Sequence, residues 1–195
     1  MVTSTQISNQ LAAARINGLL QYFRQAARRW NIPVEILLAV ASRETQIGTN
    51  RFYLNNNFTG RDGHGKGIMQ IDDRFHNFAR ITAPNDHRAM INHGAQFLSD
   101  LKKRFGNMKD ALSAYNAGPS AVMKAYMQGV DPDSKTTGGN YSRDVLRRAQ
   151  LIKDQLGITT ETAAFNYIPA ILLLAAGSGF LYTQLQKQNL LWDNY

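Results

Sequence analysis

The sequence contains no cysteine among its 195 residues. That excludes a disulfide framework, thiolate zinc sites and cysteine nucleophiles, although it does not fix the compartment. The start, MVTSTQISNQ, has no charged residue followed by a long apolar run, so no secretory leader is visible. Acidic residues are the scarcer charge: 14 Asp and Glu stand against 22 Lys and Arg, giving a net charge of +8. A surplus of that size favours polyanionic partners such as nucleic acid, anionic lipid or bacterial wall. Basic–aromatic interleaving and a helix-turn-helix pattern are both missing, which argues against specific nucleic-acid binding. The four histidines (His64, His76, His87, His93) lack a compact ligand spacing, so no metal site is expected. No internal repeat and no low-complexity stretch appears.

The sequence does carry helical periodicity. Leu11, Ile16, Leu19, Leu20 and Phe23 predict one amphipathic helix over about 7–30. Pro33 suits the first turn of a second helix over 34–46. Asn and Gly then dominate residues 49–67, which read as loop with a short hairpin. Further helices are expected over 86–105, 108–116, 119–128 and 141–156, separated by Gly106, Gly118 and Gly138-Gly139. The expected fold class is α+β, mostly helical, with a small β-sheet region. After Gly157 the composition changes, and residues 162–186 contain no charged residue. This segment predicts a C-terminal hydrophobic helix, docked on the body, packed against another chain, or embedded in a membrane through Tyr167–Tyr182.

Glu44 is the most informative residue. Leu37, Val40 and Ala41 precede it by seven, four and three positions, so all four share one helix face. A carboxyl on an apolar face near a helix C-terminus is partly desolvated and meets the negative end of the dipole. Both effects raise its pKa and suit a general acid. The competing reading is a frayed end with Glu44 paired to a surface cation. The segment Gly60–Asp73 offers glycines at 63, 65 and 67 for close approach of backbone to ligand, plus the carboxylates Asp62 and Asp72. Gly65-Lys66 is followed by Gly67 rather than Ser or Thr, so this is no phosphate loop. Its oxygen spacing fits no EF-hand either. Ala114–Pro119 closes one helix and opens the next, presenting Tyr115 and Asn116 at the joint.

Four motifs come in a telling order: Ser42-Arg43-Glu44-Thr45, Gly67-Ile68-Met69-Gln70-Ile71-Asp72, Ala114-Tyr115-Asn116-Ala117-Gly118 and Tyr141-Ser142-Arg143-Asp144-Val145. Over roughly 32–157 the chain resembles goose-type lysozymes and, more distantly, soluble lytic transglycosylases. The resemblance implies a lysozyme-like fold, with the small sheet lining a cleft for peptidoglycan glycan strands. It implies a catalytic domain over 32–157, preceded by an N-terminal helical segment over 1–31 and followed by the hydrophobic segment 158–195. Glu44 matches the catalytic acid, and Asp72 matches a carboxylate that goose-type enzymes have. Asp62 lies near the second goose-type aspartate, but Arg61 occupies the place directly after Gly where the family has its acid. Gly67, Met69, Gln70, Tyr115, Asn116 and Tyr141 match positions that shape the glycan site.

The implied reaction is cleavage of the β-1,4 bond between N-acetylmuramic acid and N-acetylglucosamine, with no cofactor. Inverting hydrolysis would use Asp72, with or without Asp62, to position water. The alternative is closure of a 1,6-anhydro ring by the muramic acid itself. A non-catalytic, membrane-associated wall-binding protein on the same frame is the reading from another class. Because vertebrate goose-type enzymes carry disulfides, their absence points to a bacterial or phage relative acting at the cell wall.

Overall fold

The computed structural model describes residues 1–158, of which Met1–Gly157 form one compact unit. The expected C-terminal hydrophobic helix and its membrane contact lie outside the described residues. Among the described residues, no helix is long and apolar enough to cross a membrane.

The molecule is mostly helical with a two-stranded sheet. Helices α1 (Ser4–Ile16), α2 (Leu19–Trp30), α3 (Val34–Thr45) and the short α4 (Arg51–Asn55) precede the strands β1 (Gly65–Lys66) and β2 (Ile71–Asp72). Then come α5 (Asn77–Ile81), α6 (His87–Phe105), α7 (Met108–Ala117), α8 (Pro119–Met127), two 3-10 turns over Pro132–Lys135 and Thr137–Gly139, and α9 (Tyr141–Leu156).

The first helix departs from the expectation drawn from its periodicity. It is two helices, because Gly18 takes a left-handed conformation (φ 67°) between them. Ile16, counted on the apolar face of a continuous helix, is left exposed. A Thr3–Gln6 capping box starts α1, satisfying two N–H groups that would otherwise lack partners.

Helix α3 is the axis of the body. Its run Ile36–Ala41 is buried on every face, as expected of a helix surrounded by others. It packs mainly on α9 and also on α2, while α2 and α7 flank α6. A polar chain ties the outer elements to this axis. Arg148 Nη1 donates to Ser42 Oγ at 2.9 Å, and Ser42 Oγ donates to Gln10 Oε1 of α1 at 2.7 Å. These buried groups are therefore paired rather than stranded.

The strands pair antiparallel with Gly65 opposite Asp72 and Lys66 opposite Ile71, and Thr59 adds a bridge to Lys66. Sequence periodicity does not reveal α4 and α5, each only five residues long. Both are too short for a repeating apolar pattern; Asn50 caps α4, whereas α5 has no side-chain cap.

Candidate active site

The site is built on the C-terminal end of α3. Gln46 and Ile47 both adopt left-handed conformations and end the helix abruptly after Thr45. The Thr45 hydroxyl donates to the Ile68 carbonyl at 2.9 Å, which fastens this helix end to the turn between the strands. Glu44 is thereby set beside Tyr141 of α9 and near enough to Tyr115 of α7 to act on it electrostatically. Its carboxylate accepts a short hydrogen bond from the Tyr141 hydroxyl at the start of α9.

Burial dominates the electrostatics of Glu44 and pushes its pKa to about 7. The Tyr141 hydrogen bond and the charges of Arg43 and Arg148 oppose the rise without cancelling it. Those two cations are already committed to Asp144, at 2.9 Å from Arg43 and 2.7 Å from Arg148. Burial raises the pKa of Asp144 too, but the two guanidinium groups hold it below its ordinary value. Glu44 therefore keeps a proton near neutrality while the network behind it stays ionic. Burial, with the Glu44 charge added, likewise pushes the Tyr115 and Tyr141 phenols well above their usual range, so both remain hydrogen-bond donors.

The turn Gly67–Gln70 forms the next part of the wall. A side chain at Gly67 would strike Met90, whose Cγ lies 2.5 Å from the added Cβ position, and the backbone there has φ +73°. Gln70, also left-handed, donates its amide to the Gly67 carbonyl at 2.8 Å and the Phe58 carbonyl at 3.2 Å. Met69 is buried, and its carbonyl accepts the Tyr115 hydroxyl at 2.9 Å. Asn116 accepts the Thr137 N–H at 2.8 Å, so it tethers the turn that leads into α9.

The two aspartates stand in a different environment. Asp72, on β2, has a side chain 29% exposed, and Asp62 one 59% exposed. Arg74 hydrogen-bonds both Asp72 oxygens and holds that carboxyl below its ordinary pKa. The same guanidinium reaches Asp62 at 3.5 Å. Asp62 accepts the His64 N–H at 3.0 Å, which lowers its pKa. His64, Asp72 and Asp73 bring one donor atom each within 4.8 Å of one another. Their carboxylates are engaged by Arg74, Lys66 and His64, which makes the cluster an ion-pair network.

Sequence reasoning overlooked three contributors. Arg74 is marked only by an Asp-x-Arg spacing. Tyr53, on α4, lies close enough to Glu44 to feel its charge, but α4 has no periodic signal. Asp133 is fully buried, accepting Ser113 Oγ at 3.0 Å, the Ser142 N–H at 2.8 Å and the Arg143 N–H at 3.2 Å. It caps α9 from a distance and so fixes Tyr141. Asp131-Pro132-Asp133 hints at a turn but not at burial.

A family model for lysozyme g matches residues 1–156. The chain belongs to the lysozyme g family. The match takes in α1 and α2 as well as the motif-bearing body. Among individual proteins, the chain is 31% identical to Protein IpgF of Shigella sonnei over 138 residues, covering 67% of this chain and 80% of that one. It is 29% identical to lysozyme g of Takifugu rubripes over 176 residues, covering 77% and 83%. With lysozyme G of Dromaius novaehollandiae it shares 31% over 158 residues, covering 75% and 72%. Membership of the lysozyme g family accords with a glycosidase that degrades peptidoglycan.

Proposed function

We propose that the protein is a muramidase that cleaves the β-1,4 bond between N-acetylmuramic acid and N-acetylglucosamine, with Glu44 as the general acid. The observation that carries this reading is the state of Glu44: burial lifts its pKa to about 7, and Tyr141 orients it. An ordinary exposed glutamate would be ionised at neutral pH and could not protonate a leaving group. Glu44 gives its proton to the glycosidic oxygen as the bond from C1 breaks. In the hydrolytic route Asp72 positions the water that attacks C1 from the opposite face. Asp62 is a secondary member of that wall. Gly67, Met69, Gln70, Tyr115 and Asn116 shape the sugar-binding surface, and Tyr141 serves the acid.

A specific observation favours keeping the transglycosylase route as a second reading. Arg74 lowers the pKa of Asp72 and so makes it a weaker base, whereas ring closure needs no base other than Glu44. In that route Glu44, having protonated the leaving oxygen, accepts the proton of the muramic acid C6 hydroxyl as that oxygen bonds to C1. Mass spectrometry of digested peptidoglycan separates the two, since reducing ends mean hydrolysis and anhydro ends mean ring closure. The Glu44→Gln variant should lose lysis while keeping its fold, and undiminished lysis would remove Glu44 from the mechanism.

We assign the catalytic domain to residues 32–157, with 1–31 as a supporting helical segment. The apolar sequence after residue 158 is assigned as a membrane tether for action at the wall. Deleting Phe165–Tyr195 should then leave lysis intact and release the protein from membranes. A truncated form that stays membrane-bound would remove the tether.

A further inference from the structure

Asp72 has few acceptor sites left. Its Oδ1 takes the Arg74 backbone N–H at 2.9 Å and Arg74 Nε at 3.0 Å. Its Oδ2 takes Arg74 Nη2 at 2.6 Å and Nε more weakly at 3.2 Å. The guanidinium thus grips the carboxylate side-on, a geometry that fixes orientation as well as charge. Arg74 is itself held. Arg80 donates to the Arg74 carbonyl at 3.3 Å and to the Asp73 carbonyl at 2.7 Å, so the turn after β2 is braced from α5. The Phe75 ring lies 5.8 Å from the Arg74 guanidinium carbon. Burial explains none of this, because Arg74 is half exposed. A surface ion pair of this kind adds little to stability. Its four convergent hydrogen bonds act on a single carboxylate, the one carboxylate that the hydrolytic route needs held still.

We propose that Arg74 is a positioning residue for hydrolysis, holding the Asp72 carboxylate in one orientation to receive the proton of the attacking water. The inference rests on the assignment of Asp72 to water positioning. In that step the proton of Glu44 goes to the glycosidic oxygen as the C1–O bond breaks. The water oxygen bonds to C1, and its proton passes to Asp72. Exchange with solvent then restores both groups. The titratable and charged groups around Asp72 are Arg74, His64, Asp62, Asp73 with its partner Lys66, and His76, whose backbone N–H donates to the Asp72 carbonyl at 3.0 Å. Among the cations of the described residues, only Arg74 bonds the Asp72 side chain directly.

The test compares Arg74→Gln, Arg74→Lys, Asp72→Asn and the double variant Asp72→Asn/Arg74→Gln in the full chain, on solubilised peptidoglycan. Loss of orientation should lower the kcat of Arg74→Gln by about 10²-fold while KM stays within about twofold. Arg74→Lys should recover part of this, because one ammonium restores charge but not the side-on grip. The acid limb of the kcat profile should move to higher pH in Arg74→Gln, since the freed carboxyl accepts a proton more readily. The double variant should be no slower than Asp72→Asn. Thermal midpoints should stay near that of the parent, which separates positioning from folding. A wild-type kcat in Arg74→Gln alongside a slow Asp72→Asn overturns the role of Arg74 and leaves Asp72 in place. Additive losses in the double variant also overturn it, since Arg74 would then act independently of Asp72. Full activity in Asp72→Asn overturns the assignment of Asp72 itself, and the inference falls with it.

Discussion

The two halves of the site solve opposite problems. On the helical side, Glu44 and Tyr141 are embedded between α3, α7 and α9, where burial keeps a carboxyl protonated to about pH 7. On the hairpin side, Asp72 is partly and Asp62 largely exposed; Arg74 keeps Asp72 low, and the His64 backbone N–H, ahead of Arg74, keeps Asp62 low. One wall withholds a proton from water, and the other keeps carboxylates anionic in water. An acid–base pair needs this divergence, because two carboxyls of equal pKa cannot divide the roles of donor and acceptor at one pH. The first wall needs a packed core, whereas the second needs only a turn and one arginine.

The sharpest way to break the comparison is to neutralise the partly buried acid. Glu44→Gln should lower kcat by about 10²–10⁴-fold, the usual range for losing a general acid, as read from turbidity loss of a wall suspension. The same variant should show what burial costs. Glu44 has a folded pKa raised above its unfolded value of 4.5, so the native state holds the extra proton between pH 4.5 and about 7. Native stability then falls as pH rises through that window and stays reduced above it. Glu44→Gln, which cannot ionise, should therefore be more stable than the parent at pH 8, by up to about 3 kcal/mol, with little difference at pH 4. Equal denaturant midpoints at both pH values would contradict a desolvated Glu44.

Buried supports come next. Asp133→Ala removes the acceptor for the Ser142 and Arg143 N–H groups and for Ser113 Oγ. Stranding these donors in the interior should cost about 3 kcal/mol, read by urea unfolding. Gly67→Ala forces a Cβ against Met90 in a left-handed backbone, and should cost about 2–3 kcal/mol by the same measurement.

How far each wall was legible in the sequence follows from the same contrast. The helical wall was largely readable. The spacing of Leu37, Val40, Ala41 and Glu44 put the carboxyl on an apolar face, and a repeating period survives in a bare sequence. The limits of α3, α6, α7, α8 and α9 fall within a residue or so of those expected. Periodicity also misled. Leu11 to Phe23 keeps helical spacing across Asn17-Gly18, and only the left-handed Gly18 shows where the helix divides. The hairpin wall was less readable, because its contacts are made by turns. Neither Gln70 folding its amide back onto Gly67 and Phe58, nor Arg74 spanning two aspartates, leaves a periodic trace. Asp133 was missed for another reason: its charge suggested surface, while its partners are backbone N–H groups that no residue name records.

Smaller perturbations should refine the contrast. Tyr141→Phe removes the hydroxyl that favours the Glu44 anion, so Glu44 should hold its proton to still higher pH. The alkaline limb of activity should move up, while kcat at pH 6 falls by less than about tenfold, the loss of one charge-assisted hydrogen bond. An alkaline limb that moves down would mean that Tyr141 stabilises the protonated form instead. The least effect belongs to Asp62→Asn. Its side chain is 59% exposed and stands 3.5 Å from Arg74, beyond a direct hydrogen bond of ordinary length. Losing it should change kcat by less than about twofold, the scale of an exposed ion pair. A loss as large as that of Asp72→Asn would instead make the hairpin wall a true carboxylate pair, with Arg74 shared between two working groups rather than serving one.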